Sequence, residues 1–390
     1  MKVYLLQENK MISVRERWFL NILMVTMGMD IGGAETHILE LAKELKRRNN
    51  NIYIVSNGGK YVKELEEAGI EHIWAPLHNK KISNILESNK ILEKVIEEKK
   101  IDLVHSHTRI SSFVCGKLHK KLHFPFVTTA HWTFKVTPFL RRMTNWGENV
   151  IAVSKDIKEY LIKNYHISPQ NIFVTVNGID TEKFCKNLDY SKIAREFQYQ
   201  ENSRRIVYIS RLDESRALVA KQLVNIAENL NDKIENLEIV IVGGGDVFEE
   251  IKTKVDAINQ KLGKKMIIMT GPRTDINSFA ASGEIFIGVS RAALEAMACE
   301  QPVIVAGNEG YLGIFDETKL EKGIETNFCC RGLEMSTEEL LERDILTLMQ
   351  SVQKAELGKY NREVVKKYYS VSRMTDDCEM AYQKTLEKYR

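Results

Sequence analysis

Residues 20–48 read LNILMVTMGMDIGGAETHILELAKELKRR. Leu20–Thr26 forms a short apolar run, two glycines follow, and the apolar residues of the next stretch recur at helical spacing. A strand apolar on both faces that leads through glycines into an amphipathic helix is one βα unit of a parallel sheet covered by helices. The same reading extends outward along the chain. Asn51-IYIVS, His72-IWAPL, Asp102-LVHSH, Phe124-PFVTTAH and Asn149-VIAVS are further apolar runs between amphipathic segments. After Phe184 the text turns polar and irregular, and a second series begins at Arg205-IVYIS. It continues through Leu237-EIVIVGGG, Lys265-MIIMTG, Glu284-IFIGV and Gln301-PVIVAG. The pattern predicts two doubly wound α/β units joined near 185–204, with a helical tail from about Ser336 long enough to return to the first.

Bulk properties agree with this division. A chain of 390 residues that is 44% hydrophobic and 28% charged fills two cores of ordinary size. Its six cysteines, scattered except for Cys329-Cys330, form neither a disulfide framework nor a zinc pattern and read as reduced thiols. No apolar stretch is long enough to span a bilayer, and the N-terminus is broken by Gln7–Lys10 too early for a signal peptide, so a cytoplasmic protein is expected. Residues 1–17 read as an extension, with Met11 as an alternative start. The first half of the chain is net positive and the second net negative. The bias is sharpest over 109–163, where Lys117, Lys120, Lys121, Arg141 and Arg142 are among the basic residues, and it favours an anionic surface or substrate.

In open α/β sheets ligands bind where strands end and helices begin. Gly32-Gly33 permits close approach to the N–H groups opening the first helix. Gly243-Gly244-Gly245-Asp246 after EIVIV reads either as a nucleotide approach or as a plain strand-to-helix turn. No GxGxxG and no GxxxxGK[ST] is present, which removes support for nicotinamide binding and P-loop ATP hydrolysis. His105 and His107 lie on one face of a strand but lack an evident third metal ligand, so packing or hydrogen bonding is the expectation. No Asp-x-Asp occurs either. Nothing points to nucleic acid.

Four segments together resemble the retaining glycosyltransferases of family 4. They are GGAETHILELAKEL from Gly32, VNGIDTEKF from Val176, Ser210-Arg-Leu, and LEAMACEQPVI from Leu294. They occur in that family's order and span most of the chain. The resemblance implies the GT-B fold, with two facing Rossmann-like domains and a C-terminal helix that crosses back. The expected divisions are an acceptor domain over 18–190, a nucleotide-sugar domain over 191–365 and a returning helix over 366–390. It implies a UDP- or GDP-sugar donor, a saccharide or lipid-linked acceptor in envelope or capsular polysaccharide synthesis, and no metal cofactor. A peripheral position at the inner face of an anionic membrane would follow.

Residue by residue, the resemblance implies that Arg211 and Arg216 clamp the donor diphosphate, with Arg216 standing where the family has lysine and Lys221 as the substitute candidate. Glu295 would accept from the ribose hydroxyls, and His131 would contact the transferred sugar. Gly33, Gly243 and Gly244 would line the donor, while Gly32, Gly33 and Glu35 would serve the acceptor side. The family's Glu-x7-Glu loop is shortened here to GVSRAALEAMA, and the first carboxylate position is Ile287. Ser290, Arg291 and Ala292 are left to serve the sugar through backbone N–H groups, and the glycines of Asn308-EGYLG are a possible replacement. Two rival readings fit a similar cleft: a sugar-nucleotide epimerase, and a sugar-nucleotide-binding subunit without activity.

Overall fold

The structure is a computed structural model that describes residues 19–134 and 136–389; the extension read over 1–17 lies outside them. Seven parallel strands form the first sheet. They are β1 (Asn21–Val25), β2 (Asn51–Ser56), β3 (Glu71–Trp74), β4 (Leu103–Ser106), β5 (Phe126–Ala130), β6 (Asn149–Ala152) and β7 (Ile172–Val174), ordered β3-β2-β1-β4-β5-β6-β7. The second sheet contains β8 (Arg204–Ile209), β9 (Leu237–Val242), β10 (Ile267–Met269), β11 (Ile285–Gly288), β12 (Val303–Gly307) and β13 (Gly310–Ile314), ordered β10-β9-β8-β11-β12-β13. Both are wound in two directions from a central strand pair, as expected of facing Rossmann-like domains of GT-B type.

Period-two alternation explains why each sheet needs helices on both faces. In β1, Ile22 and Met24 enter one core while Leu23 and Val25 enter the other. In β8, Ile206 and Tyr208 divide from Val207 and Ile209 in the same way. Each such aliphatic side chain contributes about 1.5–3 kcal/mol by leaving water. An ion pair lies at the root of β8, where Arg205 Nε is 2.6 Å from the fully buried Glu238, which also accepts from the Gln200 N–H.

Two expectations need correction. The second sheet is not wholly parallel, because β13 runs antiparallel to β12 with a register shift at Val305/Ala306. Asn308-EGYLG is therefore a tight hairpin and not a free glycine loop. At Gly310, φ is +154° and an added Cβ would lie 2.1 Å from the Cys330 carbonyl oxygen, so the glycine serves the packing of this hairpin.

Two chain crossings join the domains side by side. Ile179 N–H donates to the Tyr369 carbonyl (2.7 Å) and Val371 N–H to the Ile179 carbonyl (3.2 Å). The helix Val371–Leu386 then packs on β5, β6, β7 and the first helix, Gly33–Arg47. Met374, Cys378, Ala381 and Tyr382 complete the core of the first domain. Arg48 fixes it from outside, with Asp376 and Glu379 both at 2.7 Å. On the other flank, Arg331 bridges the domains by pairing with Asp156 at 2.6 Å.

Candidate active site

Each sheet reverses its winding direction at one strand pair, β1/β4 in the first and β8/β11 in the second. The crevice outside the carboxyl ends of such a pair is where open α/β sheets take ligands. The candidate residues gather at these two places. Glu40 on helix 33–47 and Glu295 on the helix Ser290–Ala298 both lie within reach of the charges of Arg291 and Lys183, and Arg291 touches the first domain at Gly178, so the two helices stand on either side of the boundary between the domains.

On the second-domain wall, Glu295 is nearly buried. Burial raises its carboxyl pKa above the ordinary value and the Arg291 guanidinium opposes that rise. Its Oε1 accepts from Arg291 Nε at 2.8 Å, whereas Oε2 has no hydrogen-bond partner among the described residues. Arg291 also donates to the Gly178 carbonyl of the opposite domain at 3.1 Å. Arg291 is therefore a side-chain bridge across the cleft, a role that the expected backbone contact of Ser290, Arg291 and Ala292 left out. The Ser290 N–H is already taken by the Phe328 carbonyl at 2.7 Å, which corrects its assignment as a backbone donor. The carbonyl that occupies it comes from a loop far along the sequence.

Arg211 follows β8 and Arg216 lies one loop further; both are exposed. Arg211 has one distant partner, Asp213 at 3.6 Å, and among the described residues no hydrogen bond or ion pair engages the Arg216 side chain. Lys221, the substitute candidate, is occupied by Glu214 at 2.9 Å and Glu250 at 3.6 Å. The glycine triplet acts behind this loop. Gly243 has φ +141°, and a Cβ on it would lie 1.8 Å from the Ser210 carbonyl oxygen; one on Gly245 would lie 2.3 Å from Leu212 backbone. Leu212 N–H donates to the Gly244 carbonyl and Glu214 N–H to Asp246 Oδ1, both at 2.9 Å. Of the two readings of Gly243 and Gly244, this packing gives a sufficient structural reason: they bring the arginine loop close to the sheet end.

On the first-domain wall, Gly33 opens helix 33–47 and a Cβ there would meet nothing within 4 Å, so the helix start is open to approach. Gly32 has a different reason. An added Cβ would fall 2.2 Å from Glu35 Oε2, because the Glu35 side chain folds back over the first turn. Burial raises the Glu35 pKa, its own backbone N–H lowers it, and Asp30 raises it again. Glu35 is thus a partner of the helix N-terminus in this conformation.

Four imidazoles meet at the floor of this wall. His131, just after β5, shares a 3.2 Å hydrogen bond with His107, and its ring lies 4.9 Å from that of His37. The rings of His105 and His107 are 4.0 Å apart. His105 is fully engaged, at 2.8 Å from the Tyr382 hydroxyl and 2.7 Å from Thr129 Oγ1. Removal from water lowers every one of these pKa values, to about 4 for His37, so the cluster is neutral at neutral pH. Both His37 ring nitrogens, His107 Nε2 and Thr26 Oγ1 are buried without a close hydrogen-bond partner among the described residues, although the Asn177 side chain lies beside His37. No group of three or more His, Cys, Asp or Glu among the described residues has the arrangement of a metal site. His37 carried no signal in sequence, since one histidine within apolar helical text reads as core.

Comparison with known proteins follows this geometry. The Glycosyltransferase Family 4 domain matches residues 31–183, and the Glycosyl transferases group 1 domain matches residues 203–327. A UDP-Gal:alpha-D-GlcNAc-diphosphoundecaprenol alpha-1,3-galactosyltransferase of Escherichia coli is 26% identical over 56% of this chain, a stretch spanning 61% of that enzyme. One subunit of the human phosphatidylinositol N-acetylglucosaminyltransferase is 22% identical over 90% of this chain and 73% of its own length. A glycosyltransferase from Rickettsia africae superposes with a TM-score of 0.75 at 23% identity, covering 94% of this chain and 99% of that one. Anabaena Alr3699/HepE in complex with UDP gives 0.70 at 18%, covering 94% and 100%. Among the described residues no helix is long and apolar enough to cross a membrane.

Proposed function

Because the chain is a glycosyltransferase with a Family 4 domain followed by a group 1 domain, we propose that it moves a sugar, with retention at the anomeric carbon, from a nucleotide-diphosphate donor to the hydroxyl of a saccharide or lipid-linked acceptor in envelope polysaccharide synthesis. The observation that carries this reading is the pairing of Glu295, with its open Oε2, and the exposed arginine loop at neighbouring strand ends. A carboxylate oxygen without a partner accepts from ribose hydroxyls, and Arg211 and Arg216 supply fixed cations where negative charge grows on the departing diphosphate. Arginine in place of lysine at 216 offers a planar fork to those oxygens.

Across the cleft, neutral His131 is suited to hydrogen-bond a sugar hydroxyl without repelling or attracting the diphosphate. The acceptor hydroxyl attacks the face that the phosphate leaves, and a leaving phosphate oxygen takes its proton, so the reaction needs no metal. Closure of the two walls excludes water and limits donor hydrolysis. The E. coli relative is named for a UDP-sugar donor, which favours UDP over GDP. The basic stretch 109–163 and the exposed Trp132 support work beside an anionic membrane surface.

A thermal-shift panel of UDP, GDP, ADP and dTDP sugars tests the donor. A UDP-sugar should raise the melting temperature of the native chain, and Arg211→Ala should remove the shift. A panel with no shift at millimolar nucleotide sugar would refute the reading.

A further inference from the structure

Arg291 stands where a helix disfavours a cation. It is the second residue of the helix Ser290–Ala298 and lies four residues before Glu295. Partial positive charge collects at that end of a helix, and the basic residue first is the weaker order for a charge pair at this spacing. The pair is also largely out of water, with the Arg291 side chain 16% exposed and that of Glu295 11%. Lost hydration offsets much of the attraction in such a pair, so it adds little net stability. Helix stability therefore does not account for an arginine here.

Its contacts do. Nε donates to Glu295 Oε1 at 2.8 Å while Nη1 donates to the Gly178 carbonyl at 3.1 Å. That carbonyl belongs to a tightly packed anchor. An added Cβ on Gly178 would lie 2.8 Å from Val371 Cα, the Gly178 N–H is 3.2 Å from Met374 Sδ, and the neighbouring Ile179 pairs through its backbone with Tyr369 and Val371. A planar fork fastened at both ends holds the carboxylate it grips in one orientation. Two other charged groups act on Glu295: Glu40 as a like charge and Lys183 as a competing cation, whose Nζ is also 3.8 Å from Glu64. Among the described residues only Arg291 makes a hydrogen bond to Glu295, and it leaves Oε2 free.

We propose that Arg291 is a positioning residue for the ribose of the donor: through Glu295 Oε1 it sets the direction of Oε2, and through the Gly178 carbonyl it takes that direction from the first domain. Arg291 itself does not touch the ribose. The proposal rests on the glycosyl-transfer reading and adds to it the group that makes the ribose carboxylate selective.

Calorimetric titration of the full chain with UDP, with 2′,3′-dideoxyuridine 5′-diphosphate and with inorganic diphosphate tests it. The wild-type chain should bind UDP on the order of tenfold or more tighter than the dideoxy analogue, as expected for hydroxyls donated to a carboxylate. Arg291→Gln should bring that ratio close to one, because Glu295 is then free to turn toward Lys183. Arg291→Lys, which keeps the charge and loses the fork, should give an intermediate ratio. Inorganic diphosphate, held by Arg211 and Arg216, should bind all three proteins alike. A wild-type ratio retained by Arg291→Gln would overturn the proposal. So would an equal loss of all three ligands, which would make Arg291 a support of the fold or a phosphate ligand. A wild-type chain that binds UDP without preferring it to the analogue would remove the ribose role of Glu295 and the proposal together, with the diphosphate clamp intact. Failure of the wild-type chain to bind UDP would sink the glycosyl-transfer reading itself.

Discussion

Glu295 is tied to Arg291 through one oxygen and open through the other, so its charge and its shape separate experimentally. Glu295→Gln keeps the shape and removes the charge that two ribose hydroxyls would share. UDP affinity measured by calorimetry should fall on the order of tenfold or more, with little change in the far-ultraviolet spectrum. Gly33 offers the opposite dissociation. Its added Cβ meets no protein atom, so Gly33→Ala should leave folding intact or add up to about 1 kcal/mol to a helix that prefers alanine. The same methyl stands over the open helix start and should raise the KM for a ligand. At this scale the sequence was uneven. GGAE and LEAMA were legible because their neighbours carry the pattern. The partners of Arg291 and of the Ser290 N–H were not, since Gly178 and Phe328 approach only once both domains have folded.

The turn after β9 gives an element whose glycines work through close approach. Gly243→Ala places a methyl against the Ser210 carbonyl in a positive-φ conformation. The expected cost is roughly 1–3 kcal/mol for the strain, read as a lower denaturation midpoint. Displacement of the Arg211 loop should also reduce UDP affinity, whereas a glycine that touched only nucleotide would leave the midpoint unchanged. The strands and their order of appearance were legible, because a both-faces apolar run admits few alternatives. The β12–β13 hairpin was missed for a physical reason: Gly310 and Gly313 resemble a mobile loop in sequence, and only the Cys330 carbonyl and Asp344 packed against them reveal a tight antiparallel edge.

For the whole molecule, the neutral histidine cluster makes stability depend on pH. An unfolded histidine binds a proton near its ordinary value of 6.5, whereas folded His37 does so only at about 4. The unfolded state therefore takes up more protons between those values, and stability is full above about pH 6.5 and declines toward pH 4. His37 alone accounts for on the order of 3 kcal/mol across that window. The raised carboxyls of Glu40 and Glu295 act in the opposite sense, so the slope of urea midpoints between pH 7 and 5.5 is compared with that of a variant lacking the histidine. His37→Gln should flatten that slope. The returning helix 371–386 carries a different consequence. Tyr382 reaches His105 and Thr385 takes a hydrogen bond from Asn149, so the first domain is closed by residues translated after the second. A released chain truncated before Val371 should hold a finished second domain beside a first one that proteases still cut, so the order of maturation would run against the order of translation.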